Sequence, residues 1–416
     1  MAQLADPLDL PSGLRLPNRI AKAAMTENLA DADNQPTEAL QRLYARWARG
    51  GAGLLVTGNL MVDRRFLERS RNVVADEHLD VSRLAAMREA AAGTPVLAQI
   101  NHPGRQTNRF VAWTPVAPSA GAAVPMMGLF GKPRGLSAAE VEDIVVGFGR
   151  AARLSAEAGL DGVQVHAAHG YLLAQFLSPR INKRGDRWGG AVADRARALL
   201  ECVRASRRAV GDGTVAVKLN SSDFRHGGFT EDDAEEVVRL LVDEGLDLLE
   251  VSGGTYEDPA LFGLSAHQRG ARGEKEAYFA SFAQRARGAA PGTPIMLTGG
   301  IRTRSVMEEL LASGHVDVIG LGRPLAIDPD LPAKLLDGHE GTELPSYDLP
   351  TVAGMAGESE WYEAQIGRMG EGKEPDPDLS SIKAASTFVL GEAMRGLGGR
   401  RRRSQLVDRL DRSASA

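Results

Sequence analysis

At 416 residues, with 43% hydrophobic and 25% charged side chains, the chain can hold one large domain with an extension, or two modest domains. Its net charge of −5 gives no hint of affinity for a nucleic acid or an anionic membrane. The one cysteine, Cys202, excludes an internal disulfide framework and CxxC-type zinc or iron–sulfur sites. No apolar run reaches the roughly 18 residues of a membrane span. The N-terminus lacks the basic-then-apolar pattern of a signal peptide, so a cytoplasmic protein is expected.

From about residue 18 to about residue 337, short β-like runs alternate with amphipathic segments. The first strand is predicted over Ile20–Met25 and is followed by a helix over Thr37–Arg49. Next come Leu54–Thr57 with Leu79–Ala91, Val96–Ile100 with Ala138–Ala158, and Gly162–His166 with Asp194–Val210. Val215–Leu219 pairs with Thr230–Glu244, Leu248–Val251 with Glu274–Arg287, and Ile295–Leu297 with Arg304–Ala312. The eighth strand is Val316–Gly320, and its helix follows Pro329. Eight strand–helix alternations are the count of a (β/α)8 TIM barrel. A doubly wound sheet also alternates, but no G-x-G-x-x-G turn follows the first strand. Thr230 with the acids after it reads as an N-cap, and Gly245 as the stop of that helix.

Two segments fall outside this rhythm. The stretch Gln99–Ser137, rich in Pro, Gly and Ala, is too long for a plain connection after strand 3 and is read as a cover over the site. From about Glu343 prolines punctuate a C-terminal helical extension with helical patches at Glu358–Arg368 and Ser380–Met394, ending in a polar tail from Arg400–Arg403 onward. The expected division is therefore a barrel over residues 1–340 and an extension over residues 341–416, packed on the barrel or on a partner subunit.

Barrel enzymes place their chemistry at the C-terminal ends of the strands. The fourth strand ends in HAAHGYLLAQFLSP, which sets His166, His169 and Tyr171 within six residues where a buried strand ordinarily carries apolar side chains. Metal ligation by His-x-x-His is disfavoured, since no cysteine or carboxylate partner is nearby. Strands 7 and 8 end in Thr298-Gly299-Gly300 and Gly320-Leu321-Gly322-Arg323-Pro324. Glycines there let backbone amides approach an oxyanion and an arginine adds a bidentate cation, so this end is read as a phosphate site rather than a tight turn.

In five separated motifs the chain resembles the old yellow enzyme family of FMN-dependent ene-reductases and NADH:flavin oxidoreductases. They are Leu16-Pro17-Asn18-Arg19-Ile20; Gln99-Ile100-Asn101-His102-Pro103-Gly104-Arg105; the histidine motif through Gln175-Phe176-Leu177-Ser178-Pro179; Asn182-Lys183-Arg184 with Asp186 and Trp188-Gly189-Gly190; and Gly320 to Pro324. The resemblance spans about residues 5–337 and implies a bound FMN, reduced by NAD(P)H. It implies that Ala24, Met25 and Thr26 line the flavin, with the Thr26 hydroxyl tuning its potential, and that Asn59 offers a backbone contact. It further implies that Gln99 binds the pyrimidine edge, that Lys218 (where relatives more often carry Arg) places a cation near N1, and that Gly299, Gly300, Gly322 and Arg323 hold the phosphate.

His166, which would also contact the cofactor, and His169 would hydrogen-bond a substrate carbonyl oxygen so that the β-carbon of a conjugated alkene accepts hydride, and Tyr171 would protonate the α-carbon. The implied partner is a small molecule with an activated alkene, with no nucleic acid and no membrane, in a ping-pong cycle; a homo-oligomer stays open. Arg105 and His102 are read as shaping the cover or, equally, as surface or hydrogen-bonded structural residues, and Trp113, Tyr256, Phe262 and His267 as pocket residues on loops. Asp186, Arg187 and Trp188 are read as fixing the loop after strand 4, and Cys202 as inert core. Two other readings stand beside this one: a flavin-barrel dehydrogenase acting on another small molecule, and a flavin-free lyase or isomerase of a phosphorylated substrate using Lys218 as a Schiff-base amine.

Overall fold

A computed structural model describes residues 2–125, 128–253, 276–345 and 352–395, apart from 383, 385, 388 and 389, and the side chains of 352–357. Tyr256, Phe262, His267, the start of the Glu274–Arg287 helix and the tail from Arg400 lie outside the described residues.

Eight parallel strands close on themselves. They are β1 (Ile20–Lys22), β2 (Leu54–Val56), β3 (Val96–Asn101), β4 (Gly162–Ala167), β5 (Thr214–Asn220), β6 (Leu248–Ser252), β7 (Ile295–Thr298) and β8 (Val318–Leu321). Each pairs with the next, and β8 returns to β1 through Ile319 opposite Ile20 and Gly320 opposite Ala21. The chain is a (β/α)8 TIM barrel, as its alternating pattern predicts.

Alternation along each strand divides the core in two. Inward-facing Ala21, Leu54, Val56, Leu97, Ala216, Leu248, Met296 and Val318 fill the lower barrel. Below them the antiparallel hairpin of Leu8–Asp9 and Arg15–Leu16 plugs the N-terminal mouth with Leu10 and Leu16. The outward-facing residues form the larger cluster against the helices. These are α1 (Glu38–Arg49), α2 (Val81–Ala90), α3 (Ala138–Glu157), α4 (Val192–Val210), α5 (Glu231–Asp243), α6 (Ala280–Ala289), α7 (Arg304–Ala312) and α8 (Leu331–Leu336).

Local chemistry sets several boundaries. Ser137 and Glu140 form a capping box at the start of α3, and Thr230 and Asp233 another at the start of α5. Gly245 follows α5 with a φ of +72°, the left-handed backbone that glycine adopts without strain. Cys202 is fully buried in α4, and burial pushes its thiol well above the usual range.

Both irregular segments have defined places. Between β3 and α3, Val116–Ala117 pairs with Arg134–Gly135, and this insertion roofs a 240 Å³ cavity beside the end of β4. Four basic side chains, Arg105, Arg180, Lys183 and Arg225, line that side cavity. The extension contributes a long helix, α9 (Val352–Gly370), which packs on α1 of its own barrel. There the Arg42 guanidinium donates to the Gly370 carbonyl at 2.7 Å, and Arg46 bridges Asp330 and Glu374. The Trp361 indole donates to the Leu379 carbonyl at 2.7 Å, holding the chain beyond α9 against it.

Candidate active site

β4 ends in a turn that its own residues enforce. His169 and Gly170 have φ of +58° and +74°, and the Asn220 amide oxygen from the end of β5 accepts the His169 backbone N–H at 3.0 Å. Gln175 clamps the turn from behind, donating to the Gly170 carbonyl at 2.8 Å and the Pro103 carbonyl at 3.1 Å. Three rings are thereby gathered. His166 meets His169 edge-on at 5.1 Å and Tyr171 edge-on at 4.9 Å.

Burial, with like charge from Lys218, drives both imidazoles well below the ordinary histidine value, so each is neutral and carries one N–H. For His166 the proton's location follows from its neighbour. The Ala168 backbone N–H donates to Nδ1 at 3.1 Å, leaving the proton on Nε2. His169 has Nε2 at 3.0 Å from the Ser252 hydroxyl, where either group can donate.

Beneath these rings runs a buried polar chain that crosses five strands. Gln99 donates to Gln164 at 2.7 Å, and Gln164 donates to Glu250 at 2.7 Å. Glu250 also accepts from Thr298 at 2.7 Å and lies 2.8 Å from the Lys218 ammonium. All but Thr298 are buried. The carboxylate compensates the buried lysine, and the Gln164 amide and the Thr298 hydroxyl donate to its two oxygens. Read in sequence, Gln164 sits in an otherwise apolar run and Glu250 in a predicted strand, and neither stands out. The signal was the polar residue at an inward position of a barrel strand. Gly320 serves the same chain, because a Cβ there would overlap the Thr298 hydroxyl.

Two contiguous cavities open at the strand ends. The lower, 180 Å³, is bounded by Ala24, Met25, Lys218, Gly299, Gly300 and Gly322, with His169 and Arg323. The upper, 200 Å³, is shared by Met25, Thr26, His169, Tyr171 and Arg323 from the barrel and by Glu358, Tyr362 and Glu363 from α9. Asn59, Gln99 and His166 line neither. Asn59 donates to Glu68 at 3.0 Å, and the Thr26 hydroxyl donates to the same oxygen at 2.9 Å. Arg323 is engaged by Glu358 at 2.7 Å. Gly299 and Gly300 also have a packing reason to be glycine, since a Cβ would come within 2.6 Å of the Phe279 and Tyr278 rings. At Gly322 a Cβ would meet nothing nearer than Met25 at 3.9 Å and would project into the lower cavity.

The other singled-out residues, where described, line neither cavity. His102 is buried, accepts the Gly104 N–H at 3.0 Å, and is pushed down to about 4 by desolvation. Trp113 is 59% exposed on the insertion. Asp186 pairs with Arg184, Arg187 pairs with Glu142 and lies over the buried Trp188 ring, and all three fix the loop after β4.

A flat, anionic cofactor suits this arrangement. A glycine-open cavity with an arginine at one end, a lysine within it and an apolar Ala24–Met25 wall matches the phosphate and ring of FMN. The fold and site thus define a flavin-type barrel oxidoreductase. The model of the NADH:flavin oxidoreductase / NADH oxidase family matches residues 3–341, and the chain belongs to that family, whose cofactor is FMN with NAD(P)H as reductant.

Among similar proteins, an NADH-dependent flavin oxidoreductase of Hypocrea jecorina (strain QM6a) is 37% identical, over 80% of this chain and 89% of its own. One of Neonectria sp. (strain DH2) is 38% identical over 87% of this chain, which spans about half, 51%, of that relative's length. The solved old yellow enzyme homologue of Zymomonas mobilis superposes with a TM-score of 0.71 at 27% identity, covering 82% of this chain and 94% of that one.

Proposed function

We propose that this chain uses NAD(P)H to reduce the activated carbon–carbon double bond of a small enone-type molecule. The observation that carries this reading is the ring cluster of His166, His169 and Tyr171, of which His169 and Tyr171 line the FMN-suited cavities and His166 packs edge-on against both. Bound FMN, held by Arg323, Gly299, Gly300 and Gly322 at its phosphate and by Ala24, Met25 and Lys218 along its ring, would supply hydride transfer in two half-reactions. In balance, the nicotinamide loses a hydride, one alkene carbon gains it, and the other gains a proton.

The chain's own residues do the rest. The His166 Nε2–H donates to the substrate carbonyl oxygen, drawing electron density from the alkene and holding the enolate charge that develops. His169 joins it when the Ser252 hydroxyl donates into Nε2, which leaves the His169 proton on Nδ1. A neutral pair costs little to bury and donates throughout the working pH range. The Tyr171 phenol supplies the proton for the second carbon. Lys218, held by Glu250 in the wall, is a fixed cation rather than an amine placed for Schiff-base attack.

The test is the double variant His166→Ala/His169→Ala, assayed by stopped flow in each half-reaction. We expect 2-cyclohexenone turnover to fall by roughly a hundredfold or more, the scale on which oxyanion donors act, while NAD(P)H still bleaches the flavin. Unchanged alkene turnover would refute the assignment.

A further inference from the structure

Tyr362 lies on α9, beyond the residues 3–341 that the family model matches. It is 5% exposed and lines the upper cavity with Thr26, His169 and Tyr171. Its hydroxyl has no hydrogen-bond partner among the described residues. A buried hydroxyl left unsatisfied is costly, and in a ligand cavity it marks where a ligand atom completes the set. The ring cannot turn away easily. It packs edge-on against the fully buried Trp361 at 5.2 Å and lies 6.0 Å from the Arg323 guanidinium. Burial pushes the phenol up to about 12, so it is a neutral donor. Of the other polar groups on the same wall, Thr26 donates to Glu68 and Glu358 holds Arg323, while Glu363 accepts from Arg69 at 3.0 Å through Oε1 and has no partner for Oε2 among the described residues.

We propose that Tyr362 is a specificity-determining residue that donates a hydrogen bond to a second carbonyl oxygen of the substrate, so that the preferred alkene is flanked by two carbonyls, as in maleimides, quinones and enediones. The inference rests on the ene-reductase reading above. In such a molecule the histidine pair holds one oxygen. The 1,4-relation of the carbonyls carries the other past the alkene, and a donor from a different element of the fold must meet it. The hydroxyl of α9 is that donor.

The experiment uses the holoenzyme and Tyr362→Phe, which keeps the ring and its packing on Trp361. The kcat/KM ratio of N-methylmaleimide to 2-cyclohexenone is measured for both proteins; Cys202, the one thiol, is buried and shielded from alkylation. Binding of N-methylsuccinimide and cyclohexanone, the saturated counterparts, is titrated through the visible flavin spectrum. We expect the kcat/KM ratio to drop about three- to tenfold in the variant, and N-methylsuccinimide affinity to fall by a similar factor relative to cyclohexanone, the scale of one net hydrogen bond. A ratio that does not move, or equal losses for both rings, overturns the inference. If neither alkene is turned over while NAD(P)H bleaches the flavin, the ene-reductase reading fails instead, and this inference falls with it.

Discussion

A neutral imidazole has one proton to give, so each histidine at the mouth of this barrel acts through whichever nitrogen its neighbour leaves protonated. The Ala168 amide decides the matter for His166 within its own turn. For His169 the decision belongs to Ser252, 83 residues away on β6. Ser252→Ala removes the donor to Nε2 and lets both tautomers populate. Nitrogen-15 NMR of selectively labelled protein is expected to show the His169 proton on Nδ1 in the parent and divided between the two nitrogens in the variant. Alkene turnover should fall roughly two- to tenfold, the worth of one hydrogen bond. A parent already protonated at Nε2 would sink this account.

The element that departs most from a plain barrel is α9, and its attachment is electrostatic in an unusual way. Arg69 reaches Glu360 at 3.2 Å and Glu363 at 3.0 Å, with Glu68 and Glu392 also facing the group. Desolvation and this crowding of acids push Glu363 up to about 7 and Glu360 up to about 9. Both folded-state values are raised, so the docked helix binds more protons than the released one. Its stability is present below the ordinary carboxylate range and is lost as pH rises through about 7 to 9. Hydrogen exchange across α9 is therefore expected to quicken between pH 7 and pH 9 more than exchange in β4 or β5, once intrinsic rates are removed. Uniform behaviour across the molecule would count against it. Glu363→Gln, which needs no proton to be neutral, should flatten the dependence.

The same helix links scales, because it carries Tyr362 to the site and Glu358 to Arg323. Nothing in its sequence points to that. The prolines and polar residues after Glu343 mark an extension, but contact with the strand ends depends on docking along α1, through residues more than 300 positions apart in the chain.

For the whole molecule the decisive feature is closure of the sheet. It brings the glycine ends of β7 and β8 beside the β1 loop, where Arg323 meets both cavities. Arg323→Ala is expected to weaken FMN retention by about tenfold or more, as loss of a charge-assisted phosphate contact would. The measurement is flavin released on dilution and ultrafiltration. Retention equal to the parent would place the phosphate elsewhere. No helix among the described residues is long and apolar enough to cross a membrane.

The sequence by itself determined the barrel, because eight short apolar runs alternating with amphipathic helices have few ways to bury their apolar faces. It also marked the strand ends that carry chemistry, since His166, His169 and Tyr171 are near neighbours in the chain, as are Gly322 and Arg323. Only the tertiary structure decided what depends on distant residues meeting: the Gln99–Gln164–Glu250–Lys218 chain, the hold of Ser252 on His169, and Tyr362 in the cavity wall. A local motif fixes which groups are present. A buried group's proton and charge are fixed by whatever packs against it, and packing is not written in any one stretch of chain.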